Sequence, residues 1–93
     1  MNPSAIAAIR EAVDAAHRFA HASTFNGCDA DDIDEIIEPV NHELLKAKPN
    51  PQTLSTYLNS LARSFRADES ARKVCKQLDA AMRAAGVPTN WEN

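Results

Sequence analysis

Along the first twenty-two residues the apolar positions recur at spacings of three and four, which gathers them on one side of an α-helix and scatters them over both faces of a strand. Ile6, Ile9, Val13, Ala16 and Ala20 form one line, and Ala5, Ala8, Ala12, Ala15, Phe19 and Ala22 run beside it. A face this wide is buried by more than one neighbour. The alanine line allows another helix to approach closely, from the same chain or from a second copy. Ala5, Ala8, Ala12, Ala15 and Phe19 are therefore the candidate self-association residues, and a homodimer is expected. Ser4 is the candidate cap of this helix, and Asn26-Gly27, both tolerant of the left-handed conformation, should stop it near residue 25.

The same periodicity continues through Ile33, Ile36, Ile37, Val40 and Leu44, which predicts a second helix over 30–47. Pro39 lies inside it. A proline there removes a backbone hydrogen bond and crowds the preceding turn, so the helix is expected to kink or to split. Lys48-Pro49-Asn50-Pro51 then ends one helix and begins the next. Lys48 precedes a proline and is pushed out of the helical region, Asn50 is a favoured cap, and Pro51 suits a first helical position. Leu54, Leu58, Leu61 and Phe65, with Tyr57 beside them, mark a third helix over 51–66. Ala71, Val74, Cys75, Leu78, Met82 and Ala85 mark a fourth over 69–85, with Asp68 as its cap. Gly86-Val87-Pro88 reads as its end, leaving a short tail over 87–93. The expected fold is all-α: a single domain over 1–93 in which four helices form a small antiparallel bundle. Five helices in an irregular bundle result if Pro39 breaks the second.

Composition agrees with this pattern. Alanine dominates, there are only two glycines, and β-branched runs are missing, all of which favour helix over sheet. At 93 residues the chain has room for one core and is near the size at which self-association adds useful stability. The net charge of -3 conceals an uneven distribution: residues 1–47 hold nine acids and three bases, and residues 48–93 hold four acids and seven bases. The halves attract one another, within a monomer or between copies. Two cysteines, and no basic segment followed by an apolar one at the start, point to a cytoplasmic chain with reduced thiols. No apolar run approaches the ~20 residues of a membrane span. The alanine and arginine usage suits a GC-rich bacterial or phage genome.

Several clusters along the chain carry side chains capable of chemistry. Asp14, His17 and His21 share a helical face at spacings of three and four, the arrangement a divalent metal needs from one helix, with Cys28 just beyond. The favoured account is a solvated face on which Asp14 pairs with Arg18 or Arg10, so no metal and no cofactor is expected. Asp29, Asp31, Asp32, Asp34 and Glu35 resemble a calcium loop only superficially, because Ile33 takes a ligand position and no glutamate closes the loop. Carboxylates at a helix start complement its dipole and supply a cap, and their excess negative charge suits a basic partner surface. Glu38 and His42 form a surface pair without the third group that proton transfer requires.

Arg63, Arg66, Arg72, Lys73, Lys76 and Arg83 offer a basic surface on helices three and four, but Asp68, Glu69 and Asp79 dilute it, which disfavours nucleic acid. Cys75, on an apolar line, reads as a small buried hydrophobe, and Cys28, beside acids, as an unreactive thiol. The glycines stand at helix ends and cradle no phosphate, and no serine has a base and orienter in its pattern. No enzyme is expected. The leading expectation is a small protein that binds another protein as a regulator, inhibitor or assembly factor. The acidic start of the second helix, Asp31, Asp32 and Glu35, would meet the partner, with Phe25 and Trp91 as aromatic anchors.

Overall fold

The structure, a computed structural model, describes residues 2–22, 30–66 and 68–89. These form four α-helices, α1 (Pro3–Ala20), α2 (Ala30–Leu44), α3 (Pro51–Arg66) and α4 (Arg72–Ala84), with a 3₁₀ turn at Glu69–Ala71 leading into α4. No strand occurs among the described residues. Each helix packs against its neighbours in sequence, and α1 closes the set by packing against α4. The all-α bundle expected from the periodicity is the observed class.

One core holds the helices together. Ile9 and Val13 of α1, Ile33 and Val40 of α2, Leu54, Leu58, Leu61 and Phe65 of α3, and Leu78 and Met82 of α4 are all buried. Each large side chain of this kind contributes about 1.5–3 kcal/mol on leaving water. Phe19 is only half-buried but sets its ring edge against Phe65, with centroids 5.7 Å apart and planes at 81°. The alanine line of α1 turns toward α4: Ala5 and Ala12 are buried, and Ala8 borders a shallow hollow with Ala80, Ala81 and Ala84. The close approach that alanines permit is thus used within the chain, and Ala5 and Ala12 lie beyond the reach of a second copy. Ala15 stays half-exposed.

The helix ends depart from expectation in instructive ways. The cap of α1 is Asn2, whose Oδ1 accepts from the Ala5 amide at 2.7 Å, and not Ser4. Pro3, fixed near helical φ and lacking an amide, is best placed as the first helical residue, so the residue before it takes the cap. The helix α1 ends at Ala20, where the His21 amide closes the last turn on the His17 carbonyl at 3.1 Å, short of the expected end near residue 25. The Asn26-Gly27 stop lies outside the described residues, as do Phe25, Cys28 and Trp91. The helix α2 ends at Leu44, three residues short of the expected 47, and closes through the tighter bonds Leu45 to His42 and Lys46 to Glu43, each 3.2 Å. Pro39 sits inside α2 and the helix runs through it unbroken, so the split into two helices does not occur. Packing on both sides of the proline, by Ile33 and Ile37 before it and Val40 and Leu44 after it, carries the element across the missing amide.

At the α2–α3 turn the expectation holds atom by atom. Asn50 Oδ1 accepts from the amides of Gln52 and Thr53 at 2.8 and 3.3 Å, and α3 starts at Pro51. Asp68 caps the 3₁₀ turn and not α4 itself, its Oδ1 accepting from the amide and hydroxyl of Ser70 at 2.9 and 2.6 Å. Gly86, at φ 72°, supplies the left-handed residue after α4, and the Val87 amide folds back to the Met82 carbonyl at 2.8 Å. Val87 is buried as a result.

Candidate functional site

Among the described residues, a polar cluster with solvent-accessible side chains joins α1 to α2. His17 and His21 stand one turn apart on α1, on the flank of the buried line through Ala16 and Ala20. Asp34 follows the core residue Ile33 on α2. Because Ala16 and Ala20 on one side and Ile33 on the other enter the same core, the flanking polar residues are brought face to face. His17 Nδ1 lies 2.8 Å from Asp34 Oδ1, and His21 Nε2 lies 2.8 Å from Asp34 Oδ2. One carboxylate thus receives both imidazoles, whose rings are 4.4 Å apart and tilted by 48°. The three side chains are 50%, 43% and 37% exposed, in the order His17, His21, Asp34, so the cluster is open to solutes.

Partial burial of Asp34 pushes its carboxyl toward the neutral form, but the hydrogen bonds from His21 and His17 and the charge of those rings outweigh this and hold it below the usual aspartate range. The anion is the resident form. Asp14, the acid that sequence spacing paired with these histidines, is exposed and lies outside the cluster. Its place is taken by an acid from a neighbouring helix, which no spacing rule within α1 points to.

From His17 and Asp34 an open groove runs along α2 past Ile37, Glu38, Asn41 and His42 to Leu45. Leu45 is 77% exposed, the large hydrophobic residue most open to solvent among the described ones. Asp34, Glu38 and His42 succeed one another at one-turn intervals, so all three histidines of the chain border this groove or its end cluster. On the other side of Glu38 and His42 lies a second hollow, bounded by Pro39, Glu43, Lys46, Thr53 and Tyr57. Asp31, Asp32 and Glu35 are exposed on the opening turns of α2, where their charge complements the helix N-terminus. The partner surface expected from sequence is placed only in its acidic half, since Phe25 and Trp91 fall outside the described residues.

Two polar groups that spacing did not single out are buried. Glu43 is 5% exposed, with Oε2 accepting from the Asn50 amide at 2.8 Å and Oε1 3.0 Å from Lys46 Nζ. The Asn50 amide, followed by the Lys46 ammonium, holds its carboxyl below the usual glutamate range against the opposing effect of desolvation. Its place three residues after Val40, on the apolar line of α2, was the available signal. On α3, Ser55 Oγ donates to the Pro88 carbonyl at 2.8 Å, and Asn59 Nδ2 donates to the same carbonyl at 3.0 Å, so a buried pair ties down the segment after α4. Both groups are structural.

The basic residues of α3 and α4 are exposed, as their charge requires, but they do not form a uniform surface. Arg66 and Arg72 share a hollow with Asp68 and Glu69, and Arg83 Nε binds both oxygens of Asp79 at 2.9 and 3.0 Å. Cys75 is half-buried, its thiol directed at the Ala62 carbonyl 3.9 Å away and pushed up in pKa by desolvation. Comparison with known proteins yields no matching family, curated protein or solved structure. No helix among the described residues is long and apolar enough to cross a membrane.

Proposed function

We propose that this chain is a non-enzymatic helical protein that binds another protein, as a regulator, inhibitor or assembly factor, through the outer ridge of α2. The observation that carries the reading is the groove ending at Leu45. It has an apolar edge in Ile37 and Leu45, and its helix bears the exposed Asp31, Asp32, Glu35 and Glu38 beside the partly exposed Asp34, with no lysine or arginine from Ala30 to Leu44. An apolar strip beside excess negative charge suits a partner with an apolar anchor flanked by bases: the anchor supplies affinity, and the charges supply orientation and encounter rate.

The test is capture from nuclease-treated lysate of the native host, comparing wild type with Leu45→Asp and with Glu35→Lys/Glu38→Lys. The expected result is a stoichiometric protein retained by wild type, lost with Leu45→Asp, and weakened by the charge reversals more at low salt than at high salt. Identical capture by all three proteins overturns the assignment of the surface. Recovery of nucleic acid alone from untreated lysate, released by salt and by neutralising Arg66, Arg72 and Lys76, overturns the class and transfers function to the basic helices.

A further inference from the structure

We infer that His17, His21 and Asp34 form a site for a divalent transition-metal ion of zinc-like preference, with ligands from both α1 and α2. Each residue presents one ligand atom, His17 Nδ1, His21 Nε2 and a carboxylate oxygen of Asp34, and these atoms all lie within 4.8 Å of one another. In a tetrahedral zinc site with bonds of about 2.0–2.1 Å, ligand atoms stand roughly 3.3 Å apart. The nitrogen-to-carboxylate distances of 2.8 Å are slightly shorter than that. An ion entering between the three groups therefore needs the carboxylate to draw back a little and the imidazoles to converge on the ion. Side chains at least a third exposed make such movements without disturbing the core.

The donor set also selects the ion. Two imidazoles and one carboxylate suit zinc, nickel, cobalt or copper, whereas calcium and magnesium take oxygen ligands almost throughout. Three protein ligands leave a coordination position for water, as in open zinc sites. In the metal-free arrangement the facing nitrogen of each ring donates its proton to Asp34. On binding, that proton leaves through solvent and the ring keeps or takes up one on its other nitrogen, Nε2 of His17 and Nδ1 of His21, so both facing lone pairs become available. The ion replaces two hydrogen bonds with three coordinate bonds that cross from α1 to α2, so it fastens those helices together.

Isothermal titration of tag-free protein with zinc chloride and nickel chloride, with calcium chloride as control, tests the site. The expected result is one zinc or nickel ion per chain, no calcium, and a rise in thermal midpoint on adding zinc. His17→Ala and His21→Ala should each weaken binding at least tenfold, as should Asp34→Ala, while Asp14→Ala binds as wild type. A Cys28→Ser/Cys75→Ser protein should bind unchanged. Failure of wild type to take up zinc or nickel overturns the proposal, as does retention of full affinity by both histidine variants or dependence on a cysteine. Loss with Asp14→Ala in place of Asp34→Ala would return the ligands to a single helix. All three ligand positions are exposed enough that circular dichroism of the variants should match wild type, which separates loss of ligation from loss of fold.

Discussion

Glu43 and Asp34 lie nine residues apart on one helix, and each carboxylate spends both oxygens on neighbouring donors. Their surroundings are opposite. Glu43 is 5% exposed, and one of its donors is the Asn50 backbone amide, fixed in place by the start of α3. Asp34 is 37% exposed, and both its donors are side chains that water can serve equally well. The Asn50 amide lies beside the buried Pro49 and its bond to Glu43 is partly buried, so water makes good only part of the loss of this acceptor, and Glu43 belongs to the fold. Exposed imidazoles lose little when a carboxylate leaves them, so the Asp34 cluster adds little to stability and remains free to take a ligand. Polar clusters of similar geometry can thus be a pin or a receptor, and the alternatives open to their donors decide which.

The strongest attempt to break this contrast is Glu43→Ala, followed by urea denaturation at neutral pH. Asn50→Ala is the yardstick. That change removes the acceptor for the Gln52 and Thr53 amides, a cap worth about 1 kcal/mol, but leaves Glu43 holding the residue 50 amide. Glu43→Ala leaves the Asn50 amide without its acceptor, removes the partner of Lys46 and opens space in a packed turn, so its midpoint should fall below that of Asn50→Ala. A midpoint equal to or above that of Asn50→Ala would make Glu43 a surface group in energetic terms and erase the distinction.

Acid titration sharpens the comparison at smaller amplitude. Both carboxyls are held below their ordinary values, 4.5 for Glu43 and 3.8 for Asp34. A depressed folded-state pKa means that the unfolded chain takes up the proton first. The stabilisation is therefore complete above the ordinary value and is lost as pH falls through the lower, folded one. Stability should begin to drop near pH 4.5, and Glu43→Gln should flatten the start of that drop. The Asp34 contribution should fade only below about pH 3.8 and should shrink in high salt, because exposed charges are screened. Equal salt sensitivity of the two limbs would contradict the difference in burial.

The same contrast marks how far the sequence could be read. Helix α3, from Pro51 to Arg66, was legible to the residue because the signals that define it are local: a cap, a proline and a leucine seam. Glu43 was signalled only by its place three residues after Val40 on the apolar line, since the amide it binds lies across the turn. The metal-like face was half legible. Spacing of three and four found His17 and His21 but supplied Asp14 as their acid, because spacing sees one helix at a time, and Asp34 arrives through the packing of Ala16 and Ala20 with Ile33. The alanine line was legible as a place of close approach but ambiguous in partner; Ala5 and Ala12 are buried within the chain, and Ala8 lies beside the alanines of α4. At Pro39 spacing left a kink or a split open, and the split is excluded because the residues on both sides of the proline are held by the core.

The smallest expected effect is the most discriminating. Asp34→Asn keeps the size of the side chain, removes its charge and offers each histidine at best one neutral contact. In metal-free buffer its stability should lie within about 0.5 kcal/mol of wild type, because exposed pairs of this kind contribute little. In zinc the two proteins should separate, wild type gaining thermal midpoint and Asp34→Asn gaining less, in proportion to its weaker binding. The metal-dependent gap isolates the ligand role from the structural one, since a carboxylate that merely pinned α1 to α2 would show its whole effect without any ion. If Asp34→Asn instead unfolds as readily as Glu43→Ala in metal-free buffer, both carboxylates are pins, and exposure does not separate the fold of this chain from its chemistry.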